Sequence, residues 1–297
     1  MKNLKYILSP MRLPFVILGP ACALIGLGTA WWTKGHVNWF YFLLVLIGAV
    51  AAHISVNVFN EYYDFKTGLD SRTQRTPFSG GSGTLQAHPE LAPTVLTTAI
   101  ISFAITGLVG LYFVVVQGWE LIPLGVIGLF LLYGYTVWMA RNPVLCLLAP
   151  GLGFGTLMVL GTHFALTGEY SWIAFVASLV PFFLVSDLLL LNQFPDVEAD
   201  QSIGRRHYPI LIGRKSSGYI YTAFLLATYA AIVLGVIFGI LPVFALLGLL
   251  TLVLAVPVIR NVLKNSENIP ALIPSIGQNV LITLATPVLI AIGLFIR

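Results

Sequence analysis

Apolar residues along this chain fall in long, nearly unbroken runs, not at the alternating or one-face spacing of a water-soluble fold. A helix rises about 1.5 Å per residue and the hydrocarbon core of a bilayer is about 30 Å thick, so runs of roughly 20 apolar residues predict membrane-crossing helices. Nine runs qualify: 14–31, 39–60, 92–115, 121–138, 145–166, 172–192, 218–239, 241–259 and 276–296. The strands of a membrane barrel alternate apolar and polar residues over about ten positions, and these runs do not. The expected fold is therefore all-α, a polytopic membrane protein of about nine helices around a central cavity, because helices satisfy their own backbone groups in lipid.

Composition supports this. Hydrophobic residues make up 58% of the chain and charged residues 9%, with a mean hydropathy of +0.93; soluble domains carry about 25% charged residues. Lys2 and Lys5 before the first apolar run resemble the start of a cleaved leader, but Pro10 and Pro14 interrupt the segment and the run is long enough to span, so a retained helix is expected. Cys22 and Cys146 fall inside apolar runs and read as small core residues, not as a disulfide or a metal pair.

Charge sets the orientation. With a cytoplasmic amino terminus, 13 of the 15 basic residues fall on the cytoplasmic side, leaving Lys34 and Arg297 outside. The net charge of +4 is thus explained by membrane topology and an anionic substrate, with no nucleic acid. Nothing in the sequence marks an obligate protein partner.

The connections expected outside are short, whereas two cytoplasmic ones, 61–91 and 193–217, are long and polar. They also look like copies: Asn60-Glu61-Tyr62-Tyr63-Asp64 through Asp70 begins where the second run ends, and Asn192-Gln193-Phe194-Pro195-Asp196 through Asp200 where the sixth ends. Four helices separate them, which suggests one domain over 1–297 made of two similar four-helix halves, about 1–141 and 142–260, with a ninth helix appended.

Six of the eleven acidic residues (Glu61, Asp64, Asp70, Asp196, Glu198 and Asp200) lie in these two stretches. Unpaired carboxylates near a bilayer are costly, and a bound cation offsets that cost. Asn60 and Asp64, Asn192 and Asp196, and Asp196 and Asp200 are each four apart, a spacing that shares one helical face. Magnesium favours a few carboxylates plus water and phosphate oxygens; zinc spacing is absent. Lys66, Arg72, Arg75, Arg141, Arg205 and Arg206 surround the clusters, and arginine grips phosphate bidentately. The pattern points to a metal-bridged diphosphate.

Other features carry separate readings. Gly80, Gly81 and Gly83 after Pro77 form a turn that lacks the Lys and Ser/Thr of a P-loop. Asp187 is a charge deep in the sixth run and faces the bundle interior, either touching an acceptor substrate or pairing with His53 or His163. The two histidines read as core hydrogen-bonders. Gly151, Gly153, Gly155 and Gly161 read as permitting close helix packing.

At the two clusters the chain resembles the UbiA superfamily of intramembrane aromatic prenyltransferases, over nearly its whole length. The resemblance rests on Asn60-x-x-x-Asp64-x-x-x-x-x-Asp70, on Asn192-x-x-x-Asp196-x-x-x-Asp200 followed by Gly204-Arg205-Arg206, and on the segment 135–141. Within the superfamily the wording looks most like 1,4-dihydroxy-2-naphthoate polyprenyltransferases of menaquinone synthesis. The resemblance implies that Asp64, Asp70, Asp196 and Asp200 bind Mg2+, with Asp64, Asp196, Asn60 and Asn192 catalytic. It further implies that Arg141, Arg205 and Arg206 hold the phosphates of a polyprenyl diphosphate, next to a small aromatic acceptor; Lys66, Arg72, Arg75 and Tyr135, close to the motifs, are candidates to meet these substrates, and Asp187, which is not part of the family pattern, is a candidate to touch the acceptor. Glu61 stands where Asp is commoner, and His207-Tyr208 where Thr-Leu is typical. Other acceptors remain open: 4-hydroxybenzoate, homogentisate, a tetrapyrrole or an alcohol. A secondary transporter is the reading from another class, though its polar residues should cluster at mid-membrane and not at helix ends.

Overall fold

The computed structural model describes residues 6–73, 75–76 and 80–296; Lys2, Lys5, Pro77 and Arg297 lie outside the described residues. Among these, nine helices are long and apolar enough to cross a membrane. They are α1 (Tyr6–Lys34), α2 (Trp39–Thr67), α3 (Pro89–Gln117), α4 (Trp119–Val137), α5 (Pro143–Thr167), α6 (Trp172–Asn192), α7 (Gly213–Ile237), α8 (Val243–Asn265) and α9 (Ile269–Phe295).

Side chains placed by the sequence start several of them. Asn38 Oδ1 accepts from the Phe40 and Tyr41 amides ahead of α2, Asn142 does the same for α5, and Ser171 Oγ accepts from Ala174 N in α6. Each satisfies amide donors that a helix start leaves without partners. Gly68, at φ 73°, ends α2, with its amide donating to Phe65 O and the Leu69 amide to Asp64 O. The helix thus runs past residue 60, where the apolar run stops, and carries Asp64 in its last turns.

The chain around Asn192 corrects one expectation. Asn192 ends α6, a turn follows through Gln193, Phe194 and Pro195, and a short helix, Val197–Ser202, starts afresh. Pro195 lacks the amide a continuing helix needs. Asn192 and Asp196 are therefore not on one helical face, although Asp196 and Asp200 are joined by an Asp200 N to Asp196 O hydrogen bond of 2.8 Å.

The helices form a ring closed where α9 packs on α1. One side is solid: Leu184, Tyr221, Leu225, Ile276, Ile282 and Ile290 are wholly buried among α6, α7 and α9. The other is hollow, with walls drawn from α1 to α6 and α9. Gly151 and Gly155 let α5 lie on the α6 backbone; a Cβ at Gly151 would come within 2.1 Å of Phe182 O, and one at Gly155 within 2.3 Å of Phe182 N. Gly153 and Gly161 instead face the hollow.

Outward apolar side chains are abundant, with Val115 76% and Val253 74% exposed. A soluble monomer does not present such a surface, and lipid tails cover it at no cost. The protein is an integral membrane protein.

Candidate active site

Two connected spaces occupy the hollow. The first, of about 140 Å³, lies at the ends of α2 and α6 and is lined by Asp64, Asp70, Asp196, Asp200 and Arg205. The second, of about 520 Å³, is almost wholly apolar and runs down between α1 to α6 and α9. Arg12, Asn60, Tyr135, Leu189 and Asn192 line both, forming a throat between a charged chamber and a dry one.

The two acidic stretches meet through Arg205. Its Nη1 donates to Asp200 Oδ1 at 2.9 Å and its Nη2 to Asp64 Oδ1, with the side chain 18% exposed. Burial works against the guanidinium charge, but Asp64 and Asp200 more than offset it and hold the group above its ordinary value. His207 Nε2 lies 2.9 Å from Asp200 Oδ2, so the carboxylate is held from both sides. The amide of Arg206 donates to Ala140 O, tying this loop to the end of α4.

Asp70 returns to the chamber because Gly68 turns the chain back. Gln86 Nε2 donates to Asp70 Oδ2 at 2.8 Å, and Gly81, at φ 68°, lies so close that a Cβ would come within 2.7 Å of Oδ2. Burial pushes the Asp70 carboxyl above its ordinary value, a shift partly opposed by Gln86 and by the charges of Arg12 and Arg75. Glu61 is buried but faces elsewhere: it accepts from Ser82 N and Ser82 Oγ and pins the glycine loop.

Several predicted residues stand outside the chamber. Arg72 donates to Ser202 O and Oγ and so latches the two loops together. Arg75 donates to Gln86 Oε1, and Lys66 lies over the Tyr62 ring at 5.6 Å. Arg141 and the Arg206 side chain are exposed. Asp187 lines neither space; it is fully buried, neither oxygen has a hydrogen-bond partner, and neither His53 nor His163 pairs with it. His163 meets Thr29 Oγ1 instead.

Arg12 is the residue that sequence reasoning missed, having counted it only as a topological charge. It is the sole non-glycine residue with positive φ (51°) among the described residues, set between Pro10 and Pro14 where α1 is broken. That left-handed turn is a strained conformation for an arginine, and the chain adopts it where the side chain meets the throat.

The donor set suits a hard divalent cation: carboxylates and amide oxygens, with Asn192 Oδ1 and Thr136 Oγ1 buried and without hydrogen-bond partners. Among the described residues no three acidic, histidine or cysteine side chains converge to cage an ion unaided. Magnesium binding through few carboxylates plus substrate phosphate fits this arrangement, whereas an all-protein calcium or zinc cage does not.

The chain matches the family model "UbiA prenyltransferase family" over residues 20–272, and it belongs to that family. It is 31% identical over 206 residues to a 1,4-dihydroxy-2-naphthoate octaprenyltransferase of Bacillus subtilis, covering 68% of this chain; the chain spans 65% of the length of that relative. In fold it is similar to a UbiA homologue of Aeropyrum pernix, with a TM-score of 0.71 at 18% identity, covering 94% of this chain and 96% of the other. It is also similar to a UbiA homologue of Archaeoglobus fulgidus solved with DMAPP and Mg2+, with a TM-score of 0.60 at 14% identity, covering 96% and 99%.

Proposed function

We propose that the protein transfers a prenyl group from a polyprenyl diphosphate to an aromatic acceptor, 1,4-dihydroxy-2-naphthoate, in menaquinone synthesis, with Mg2+ as cofactor. One observation carries the reading: an acidic chamber that opens through a polar throat onto a long apolar cavity. Such a pair of spaces matches a molecule with a diphosphate head and a hydrocarbon tail. The acceptor is taken from the names of relatives such as that of Bacillus subtilis.

In this reading Asp64, Asp70, Asp196 and Asp200 hold Mg2+, which, bound there, neutralises the diphosphate and eases departure of the leaving group. Arg205 and Arg12 face the phosphate oxygens, and Asn60 and Asn192 orient the head group at the throat. These are fixed charges and dipoles aimed at the charge that develops as the allylic carbon–oxygen bond breaks. Tyr135 at the throat offers a ring face to the allylic cation. The apolar walls exclude water, which would otherwise capture the cation. The aromatic carbon then attacks, and a proton, or carbon dioxide from a carboxylated carbon, leaves. We place the chamber on the cytoplasmic side from the distribution of basic residues.

The test is product analysis by mass spectrometry after purified protein is given Mg2+, geranyl diphosphate and a panel of acceptors. Prenylated naphthoate-derived product supports the reading; transfer to 4-hydroxybenzoate or homogentisate alone corrects the acceptor, and no transfer to any acceptor refutes the reading.

A further inference from the structure

Below the throat, the polar side chains on the cavity wall are almost all engaged. Thr106, Thr162 and Thr283 donate to carbonyls one turn back in their own helices, and Asn57 Nδ2 donates to Met11 O. His53 is different. Its side chain is buried, 5% exposed, it lines the cavity, and neither ring nitrogen has a hydrogen-bond partner; Nδ1 is shut off from the cavity, which leaves Nε2 as the nitrogen a ligand can reach. Its ring rests on Phe154, with centroids 4.6 Å apart.

Phe154 is placed by an unusual stretch of α5. Residues Gly151–Leu157 form a π-helical segment, pressed against α6 through Gly151 and Gly155. Such widened turns occur mostly where a helix must re-aim a side chain, frequently at functional sites. Here the turn sets an aromatic face beside the one buried histidine of the cavity.

A buried imidazole without a partner in an apolar wall is unfavourable unless a ligand supplies the missing bond. A hydrocarbon tail cannot supply it. A hydroxylated or carboxylated aromatic ring can, and can also lie against Phe154. Depth agrees: His53 and Asn60 share a face of α2, and seven residues separate them by about 10 Å. That distance leaves room for the allylic carbon and an aromatic ring between the throat and the imidazole.

We infer that His53 and Phe154 form the recognition site for the aromatic acceptor, His53 hydrogen-bonding a ring hydroxyl or carboxylate while Phe154 takes the ring face. This rests on the prenyl-transfer reading above. His53 acts in binding and specificity, while the donor's diphosphate is held in the acidic chamber.

The experiment is steady-state kinetics of the full-length purified protein with 1,4-dihydroxy-2-naphthoate, geranyl diphosphate and Mg2+. His53→Leu should raise the acceptor KM by about tenfold, the loss of one hydrogen bond, while the donor KM stays within about twofold. His53→Gln, which keeps a hydrogen-bonding group at similar reach, should restore most of the loss. If His53→Leu fails to fold, His53→Asn, which stays polar but withdraws the bonding atoms, carries the same comparison. An unchanged acceptor KM, or equal rises in both KM values, overturns the assignment. A wild-type protein that transfers nothing refutes the function itself, so the two failures are distinguishable.

Discussion

Arg205 joins Asp64, in the last turns of α2, to Asp200, in the short helix beyond α6, through two nitrogens of one guanidinium. Residues 141 positions apart are thereby held within one charge group. The two acidic stretches accordingly open on one chamber.

The bridge makes Arg205 structural as well as chemical. Removing one partner of a buried ion pair leaves the other charges uncompensated, at a cost of about 3 kcal/mol. We expect Arg205→Ala to lower the thermal midpoint and abolish transfer, and Arg205→Lys to retain part of the stability. In the double variant Arg205→Ala with Asp200→Asn, the stability loss should be smaller than the sum of the single losses, as thermal unfolding in detergent would show.

Burial raises the Asp70 carboxyl, and this has a pH signature. A carboxyl whose folded-state value lies above its unfolded one disfavours the folded state once ionised. Its contribution is least unfavourable below about pH 4, the unfolded carboxylate range, and worsens as pH rises through the folded value. We expect Asp70→Asn to raise the thermal midpoint at neutral pH, with the gain shrinking toward pH 4, while transfer falls. A variant no more stable than wild type at neutral pH contradicts the assignment.

The packing of α5 on α6 gives a paired test. A Cβ at Gly155 would meet Phe182 N at 2.3 Å and Cα at 2.5 Å, both backbone, whereas one at Gly153 finds Leu131 Cδ1 no nearer than 4.0 Å. Gly155→Ala should destabilise by about 1–3 kcal/mol or more, as overpacking does. Gly153→Ala should be close to neutral.

The apolar cavity reaches the lipid-facing surface between α3 and α4, where Leu111 (58% exposed) and Val126 (60%) belong to its wall. Nothing lies within 4 Å of a Cβ built at Gly110 or Gly125. A phenylalanine at either position should fit the fold and obstruct a long tail. We expect Gly110→Phe and Gly125→Phe to keep transfer from geranyl diphosphate and to lose at least about tenfold with a long polyprenyl diphosphate, a 1.4 kcal/mol or larger effect.

The helices were legible because hydropathy alone determines what can cross a bilayer; the sequence runs and the nine helices coincide to within several residues, with α1, α2 and α9 the longest extensions. Asp64, Asp70, Asp196 and Asp200 were legible as a set because so few acids occur elsewhere. Their surroundings were not. Lys66, Arg72, Arg75, Arg141 and Arg206 adjoin the motifs in sequence, but sequence adjacency does not decide which way a loop side chain turns, and none lines the chamber. Arg12 does line it, because a left-handed turn between two prolines redirects it; the spacing of Pro10 and Pro14 was the available signal. The break after Asn192 was readable from Pro195.

The central claim is that the ends of α2 and α6 grip one diphosphate through magnesium, and the most direct measurement is transfer from a labelled prenyl diphosphate to 1,4-dihydroxy-2-naphthoate by wild type, Asp64→Asn and Asp196→Asn, with Mg2+ and with chelator. Product is expected from wild type with Mg2+ only, with a loss of more than about a hundredfold in each single variant, since losing a metal ligand should exceed the 10–100-fold typical of losing a residue that only orients one. Wild-type rates in either variant, or in chelator, would contradict that claim.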